Sequence, residues 1–219
     1  MPTPTFFRLP DEKRERFVDE AINEFADRSY AEASLSQIVK RVGIAKGSVY
    51  QYFADKLDLY RWLLIEEVPR RRREFVGVID DADTDFWAAL ETQIERGMAF
   101  LVEHPKLARI TAAAADPTAH EEVRGLHRAV CQAGEAELER SLERGIRRGA
   151  ISKDVDPKIA VHFVTAITGP GLTNVVLQEL GADLHEILAS DELRRKLDPR
   201  RRRRLAKQAL LLIQRGLGA

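Results

Sequence analysis

Apolar residues recur three and four positions apart along almost all of this chain, while alternation of β-branched residues is almost absent. That spacing puts apolar side chains on one stripe of an α-helix and supplies none of the period-two faces a sheet needs. The expected fold is therefore all-α. Phe17/Val18, Ala21/Ile22 and Phe25/Ala26 stripe a first helix. Pro10 opens it, Asp11 and Glu12 favour its first turn, and Arg28-Ser29-Tyr30 closes it. In SLSQIVKRVG, Ser34 and Gln37 have the spacing of a capping box. Leu35, Ile38, Val39 and Val42 form the apolar face, and Gly43 suits a left-handed cap. A third helix is expected across Lys46–Phe53. A fourth starts at Asp55, with Asp58 three residues on, and runs through Leu59, Trp62 and Leu63 until Pro69 ends or kinks it.

The rest reads as longer helices. Residues 84–103 and 106–115 are split by His104-Pro105. Residues 120–149 turn Val123, Leu126, Val130, Leu138, Leu142 and Ile146 inward. Asp156-Pro157 opens 157–179, which Gly169-Pro170-Gly171 interrupts, and a last helix spans 199–216. There is no internal repeat. Short helices give way to long ones near residue 55, so the expected division is 1–55 and 56–219.

Several function classes find no support. Lys+Arg and Asp+Glu number 35 each, so any affinity for nucleic acid must come from local placement of charge. The single cysteine, Cys131, excludes a disulfide framework within one chain. His104, His120, His127, His162 and His185 match no common zinc spacing, so no metal or other cofactor is expected. No nucleophile–base pair, phosphate loop or paired-carboxylate motif stands out, and an enzyme is not expected. No apolar run approaches the roughly 18–20 residues of a membrane span, and the first residues lack a signal peptide's apolar core. A cytoplasmic setting is expected.

Residues 43–56, GIAKGSVYQYFADK, concentrate glycine, aromatics and lysine. Two short helices joined by a glycine-containing turn make a helix-turn-helix, whose second helix enters the DNA major groove. The turn here is Val42-Gly43-Ile44-Ala45. In KGSVYQYF, Val49 and Phe53 face the core and leave Lys46, Gly47, Ser48, Tyr50, Gln51 and Tyr52 for other faces. Gly47 costs about 1 kcal/mol of helix stability and allows close backbone approach. Over residues 36–56, Lys40, Arg41, Lys46 and Lys56 outnumber Asp55.

KRVGIAKGSVYQYFADKLDLY resembles the N-terminal signature of the TetR family of bacterial transcriptional regulators. The shared pattern is a Gly-aliphatic-small turn, then Lys-Gly-Ser/Thr-aliphatic-Tyr-x-Tyr/His-Phe, then Lys-x-x-Leu, and it covers roughly residues 10–60. The resemblance implies base-edge or groove contacts by Lys46, Gly47, Ser48 and Gln51. It implies phosphate contacts by Tyr50, Tyr52 and Lys56, with Ser34 and Ser36 as backbone anchors. Two positions depart from the pattern. Ser29 stands where the family has glycine before the aromatic, and Ala45 stands where it often has an N-cap serine.

The resemblance further implies a homodimer, a double-stranded DNA operator and a small-molecule effector. Ile159, Ala166, Ile167, Gly169, Gly171, Leu172, Val176, Leu205, Leu211 and Leu212 are candidates for the dimer face. Trp87, Ile94, Met98, Leu101, Ile110, His127, Cys131, Phe163 and Thr165 are candidates for the pocket, whose mix suits an apolar or aromatic ligand. Repression relieved by ligand is the commoner family role, and Lys56–Glu67 is the candidate lever between pocket and head. The arginines at 70–73 and 200–204 read as solvated faces or helix-end charges. Arg200–Arg204 is unexpected, because it opens a helix where positive charge is unhelpful.

Overall fold

The computed structural model of the chain describes residues 1–77 and 85–218. Among the described residues the fold is all-α. The helices are α1 Pro4–Phe7, α2 Asp11–Asp27, α3 Leu35–Val42, α4 Lys56–Trp62, α5 Val68–Val76, α6 Phe86–Glu103 and α7 Pro105–Ala115. They continue as α8 Glu121–Arg147, α9 Pro157–Ala166, α10 Leu172–Leu180, α11 Leu184–Ala189, α12 Asp191–Lys196 and α13 Pro199–Leu217. A 3₁₀ turn spans Lys46–Gln51, and π turns span Leu63–Glu67 and Ile167–Gly171. One isolated antiparallel bridge pairs Ile151 with Gly218. Two compact units emerge, residues 1–71 with 106–130 and residues 72–105 with 131–219. The 55/56 division expected from sequence falls inside the first of them.

The first unit is built on an aromatic cluster. Phe6 of α1 is fully buried, with ring centroids 5.8 Å from Phe17, 6.0 Å from Tyr52, 5.1 Å from Phe53 and 5.2 Å from Trp62. Edge and tilted pairs of this kind contribute about 0.5–1.5 kcal/mol each beyond their area. Gly43 ends α3 at φ 76°, as its left-handed role requires. Asp55 caps α4 by accepting the Asp58 N–H at 2.8 Å. The expected box at Ser34 and Gln37 does not form, for the Ser34 side chain makes no cap bond. The Ser34 N–H instead donates to the Glu24 carboxylate at 2.9 Å, so α2 rather than α3 supplies the acceptor. Ser29 accommodates its turn without a positive φ; its hydroxyl donates to Glu32 at 2.9 Å and its carbonyl accepts the Ala33 N–H.

Both prolines that interrupt long helical stretches are met by π turns. A proline has no N–H for the carbonyl four residues back and its ring crowds that carbonyl. Widening the turn relieves both. Leu63–Glu67 is the π turn before Pro69, and Pro170 lies within Ile167–Gly171, so the chain stays helical through each. At Gly171 a Cβ would lie 2.8 Å from the Ala166 carbonyl oxygen, so only glycine fits this widened backbone.

The second unit packs α6 against α13. Leu90, Ile94 and Met98 meet Leu205, Ala206, Leu210 and Ile213, with Leu142, Ile151, Val161 and Val164 completing the core. The start of α13 resolves the puzzle of its arginines. Asp198 caps the helix by accepting the Arg201 N–H at 2.8 Å. Arg202 is buried and donates to Glu95 at 3.0 Å and to the Leu197 carbonyl at 3.0 Å. Arg201 and Arg204 pair with Glu179 at 3.7 and 2.5 Å. Acids from other helices thus offset the unfavourable placement at the dipole. The predicted start of the helix at residue 84 lies outside the described residues; Asp85 caps α6 through the Trp87 N–H at 2.9 Å.

Candidate nucleic-acid interface and ligand cavity

The second helix of the expected helix-turn-helix is a 3₁₀ turn, not two turns of α-helix. Ser48 N–H reaches the Ala45 carbonyl at 2.9 Å and Tyr52 N–H the Val49 carbonyl at 3.0 Å, both three residues back. Ala45 offers no capping side chain and Gly47 lowers α-helical stability, so the tighter form competes well here. Thr3 fixes the far end: its N–H donates to the Tyr52 carbonyl at 2.9 Å and its hydroxyl to the Gln51 carbonyl at 2.5 Å. Val49 and Phe53 are buried, as their spacing predicts, while Gly47, Tyr50 and Gln51 are exposed.

Behind this turn, Glu24 joins α2 to α3. It is fully buried, accepts the Ser34 N–H, pairs closely with Arg41 and has Arg28 at 3.6 Å. On a helix stripe Glu24 reads as an ordinary polar-face residue, and no sequence signal sets it apart. A second network surrounds Glu67. Arg70 donates to it at 2.7 and 3.0 Å and Arg71 at 2.6 Å, and Arg71 also reaches Asp19 at 3.1 Å and Glu15 at 3.2 Å on α2. Burial alone would raise the Glu67 carboxyl, but the bonds from Arg70 and Arg71 outweigh it and hold the pKa below the ordinary 4.5.

The second unit contains a cavity of about 360 Å³. That lies within the ~300–1,000 Å³ common for small-molecule sites. Leu90, Ile94, Met98 and Leu101 of α6, Leu138 of α8, and Val164, Leu172 and Val176 from α9 and α10 form apolar walls. Thr168, in the π turn, also lines it and donates to the Val164 carbonyl at 2.8 Å. The polar lining includes Arg72, Arg73, Gln93, Glu137, Ser141 and Arg194.

The comparisons with known proteins bear on both sites. Residues 17–62 match the model for bacterial regulatory proteins of the tetR family. A solved TetR family transcriptional regulator from Chloroflexus aurantiacus is 31% identical, with 100% of this chain and 99% of that one covered and a TM-score of 0.67. The chain belongs to the TetR family. The transcriptional activator FasR of Mycolicibacterium smegmatis is 40% identical over 62 residues, a stretch spanning 28% of this chain and only 28% of FasR. SmeT of Stenotrophomonas maltophilia, solved with triclosan, is 22% identical over 95% of this chain and 93% of its own, with a TM-score of 0.68. At that identity the likeness concerns the fold.

On the TetR head, the candidate contact residues divide. Ser36, Gly47, Tyr50 and Gln51 are exposed, Ser34 and Ser48 are half-buried, and the Lys46 side chain lies outside the described residues. Two expectations change. Tyr52 is 5% exposed and belongs to the aromatic core, because three residues per 3₁₀ turn bring it into line with Val49. Lys56 donates to the Ala31 and Ala33 carbonyls at 3.0 and 3.1 Å and lies 4.8 Å from the Tyr30 ring centroid, so it fastens the loop before α3.

Of the pocket candidates in this TetR chain, Ile94, Met98 and Leu101 line the cavity. Trp87 packs nearby and donates its indole N–H to Ala150 at 3.1 Å, and Thr165 is off the wall. Ile110 is core of the first unit. His127, also grouped there, has its pKa lowered by burial. Cys131 and Phe163 are exposed and neither is on the cavity wall. Arg72, Arg73, Thr168 and Leu138 were missed as lining. Of the dimer candidates, Ile159, Ala166, Leu211 and Leu212 are exposed, and Ile167, Gly169 and Gly171 are half-buried. Leu172, Val176 and Leu205 are core of their own chain, because they point back toward α6 and its neighbours.

Proposed function

We propose that this TetR regulator acts as a cytoplasmic homodimer that binds a near-palindromic operator and is released from it by a small apolar or aromatic molecule, most simply as a repressor. Residues 1–55 would meet DNA, and residues 56–219 would bind ligand and dimerise. The observation that carries this reading is the recognition turn: Val49 and Phe53 anchor it from below while Gly47, Tyr50 and Gln51 stay exposed above. The backbone can then approach a groove at Gly47 while Tyr50 and Gln51 supply hydrogen-bonding groups.

Two further features support it. Contrary to the sequence expectation, the continuous helical segment 157–180 is long and apolar enough to cross a membrane, and only 28% of its most apolar stretch is buried within the chain. Phe163 and Leu212 are exposed by 65 and 66%, as a twofold interface would have them in an isolated protomer. The cavity has the size and walls of a small-molecule site, and the SmeT relative holds triclosan. Lys56–Glu67, which follows the recognition turn in the chain and precedes the arginines of the cavity wall in sequence, suits the lever role. Ligand would favour one spacing of the two heads and DNA another.

The test is selection of bound sequences from random duplex DNA by the full chain, followed by affinity across a salt series for wild type and a Lys46→Ala/Tyr50→Ala variant. The expected result is an enriched near-palindrome, a steep salt slope and a collapse in the variant. No enrichment, with weak binding indifferent to the substitutions, would overturn the regulator reading. A reporter driven from the selected site then reads the sign of regulation.

A further inference from the structure

The charged groups on the cavity are of unequal kind. Arg194 is already occupied, for it donates to the Leu188 carbonyl at 2.6 Å and pairs closely with Asp191. Arg72 and Arg73 both stay open to solvent. Arg72 is the one whose guanidinium lies against α6. It lies on the wall with its Nη2 3.7 Å from where a Cβ on Gly97 of α6 would stand, one residue from Met98 and one turn from Ile94 and Leu101. It makes no hydrogen bond or ion pair with any described residue, and Glu137 of α8 is the acid whose field acts on it. Partial loss of solvation lowers its pKa from the ordinary arginine value, and the Glu137 charge acts the other way. A guanidinium nonetheless stays charged in a protein. A guanidinium set beside apolar walls, with no hydrogen-bond partner among the described residues, gains from an anion that can enter.

The sign of the lining agrees. Among the described residues, three arginines and one glutamate are the charged groups on a wall that is otherwise mostly apolar. A planar guanidinium with five donors matches a carboxylate in two parallel hydrogen bonds. The apolar walls would reject a small hydrated anion and accept one that brings an apolar body with it.

We propose that the effector is an amphipathic organic anion, an apolar monocarboxylate whose carboxylate is held by Arg72 and whose body lies against Ile94, Met98, Leu172 and Val176. This rests on reading the cavity as the effector site. It goes beyond that reading by assigning a negative charge to the ligand and one residue to its recognition. Arg72 is then the specificity determinant of the cavity.

The experiment is isothermal titration of the full chain, below micelle-forming concentrations, with decanoate and 2-naphthoate, and with the neutral counterparts 1-decanol and 2-naphthalenemethanol and the cation decylammonium. Wild type is compared with Arg72→Gln and Arg72→Lys, each first checked for an unchanged melting profile. One saturable site per chain is expected, with at least one acid binding about tenfold or more tighter than its alcohol, the range of a charge-assisted hydrogen bond. Arg72→Gln should bring that acid's affinity down to the alcohol's while leaving the alcohol's unchanged, and Arg72→Lys should keep part of the preference. Equal binding of acid and alcohol, preference for decylammonium, no binding by either acid, or an acid affinity untouched by Arg72→Gln would each overturn the proposal. Operator binding by ligand-free Arg72→Gln is measured alongside. If wild type shows no acid preference while both proteins bind the operator equally, the anion assignment fails and the regulator reading survives.

Discussion

Glu24 lies wholly inside the first unit and accepts the backbone N–H of Ser34 at 2.9 Å, so a side chain of α2 sets where α3 begins. The same carboxylate pairs with Arg41 near the end of α3, and one buried acid therefore holds that helix at both ends. Glu24→Ala removes the acceptor and leaves a part-buried N–H and Arg41 without it. A loss of about 1–3 kcal/mol is expected for the unpaired groups. Glu24→Gln keeps an acceptor for Ser34 and should cost less. Urea denaturation followed by circular dichroism reads both, and an unshifted midpoint for Glu24→Ala would show that the bond contributes nothing net.

The Glu67 network makes a pH prediction. Its carboxyl is held below 4.5 because the Arg70 and Arg71 bonds outweigh burial. A depressed carboxyl stabilises the folded state above its unfolded pKa and loses that contribution as pH falls through the folded value. Stability should thus decline below about pH 4.5. Glu67→Gln should be less stable than wild type at pH 7 and show a shallower acid limb. Asp58 and Asp198 also have lowered pKa values, so the limb shrinks rather than vanishes. Parallel curves for wild type and Glu67→Gln from pH 7 to pH 3 would contradict the assignment.

Tyr50 and Tyr52 are two residues apart and should answer differently. Tyr50 is 57% exposed and Tyr52 5%. Tyr50→Phe removes one hydroxyl at the proposed phosphate contact and should weaken operator binding about two- to tenfold with no change in melting, the worth of a single hydrogen bond. Tyr52→Phe should leave DNA affinity near wild type. Tyr52→Ala empties part of the aromatic core and should cost about 3–5 kcal/mol, as large aromatic truncations do. Fluorescence anisotropy on the selected operator separates them. If Tyr52→Phe weakens binding as much as Tyr50→Phe, the Tyr52 hydroxyl reaches DNA from the core edge after all.

The long helices and the head motif were legible for the same reason: each repeats a spacing that only one geometry satisfies. α1, α11 and α12 were not, since four to six residues offer too few turns for a period to show. The shift from α to 3₁₀ at Lys46–Gln51 was also hidden, and it is what carried Tyr52 into the core. At the cavity, Ile94, Met98 and Leu101 were found because apolar stripes mark both core and pocket, and the same ambiguity drew in Ile110 and Phe163. Arg72 escaped because four arginines in a row look alike. Only the fold gives Arg71 to Glu67 and Asp19 and leaves Arg72 on the cavity wall.

The uncovered apolar face makes the last prediction. Ile159, Phe163 and Leu212 are exposed by 58, 65 and 66%. Covering a large apolar side chain stabilises by about 1.5–3 kcal/mol, and a twofold interface would use each residue twice. Phe163→Glu with Leu212→Glu replaces two of these by charges that would face like charges across the twofold axis. Light scattering on the eluted protein should show a dimer for wild type and a monomer for the double variant, with the helical signal unchanged because neither residue supports its own chain's core. Operator affinity should then collapse, since one head holds half a site. Phe163→Leu should remain dimeric. A double variant that stays dimeric would place the interface on another face and remove the argument drawn from 157–180.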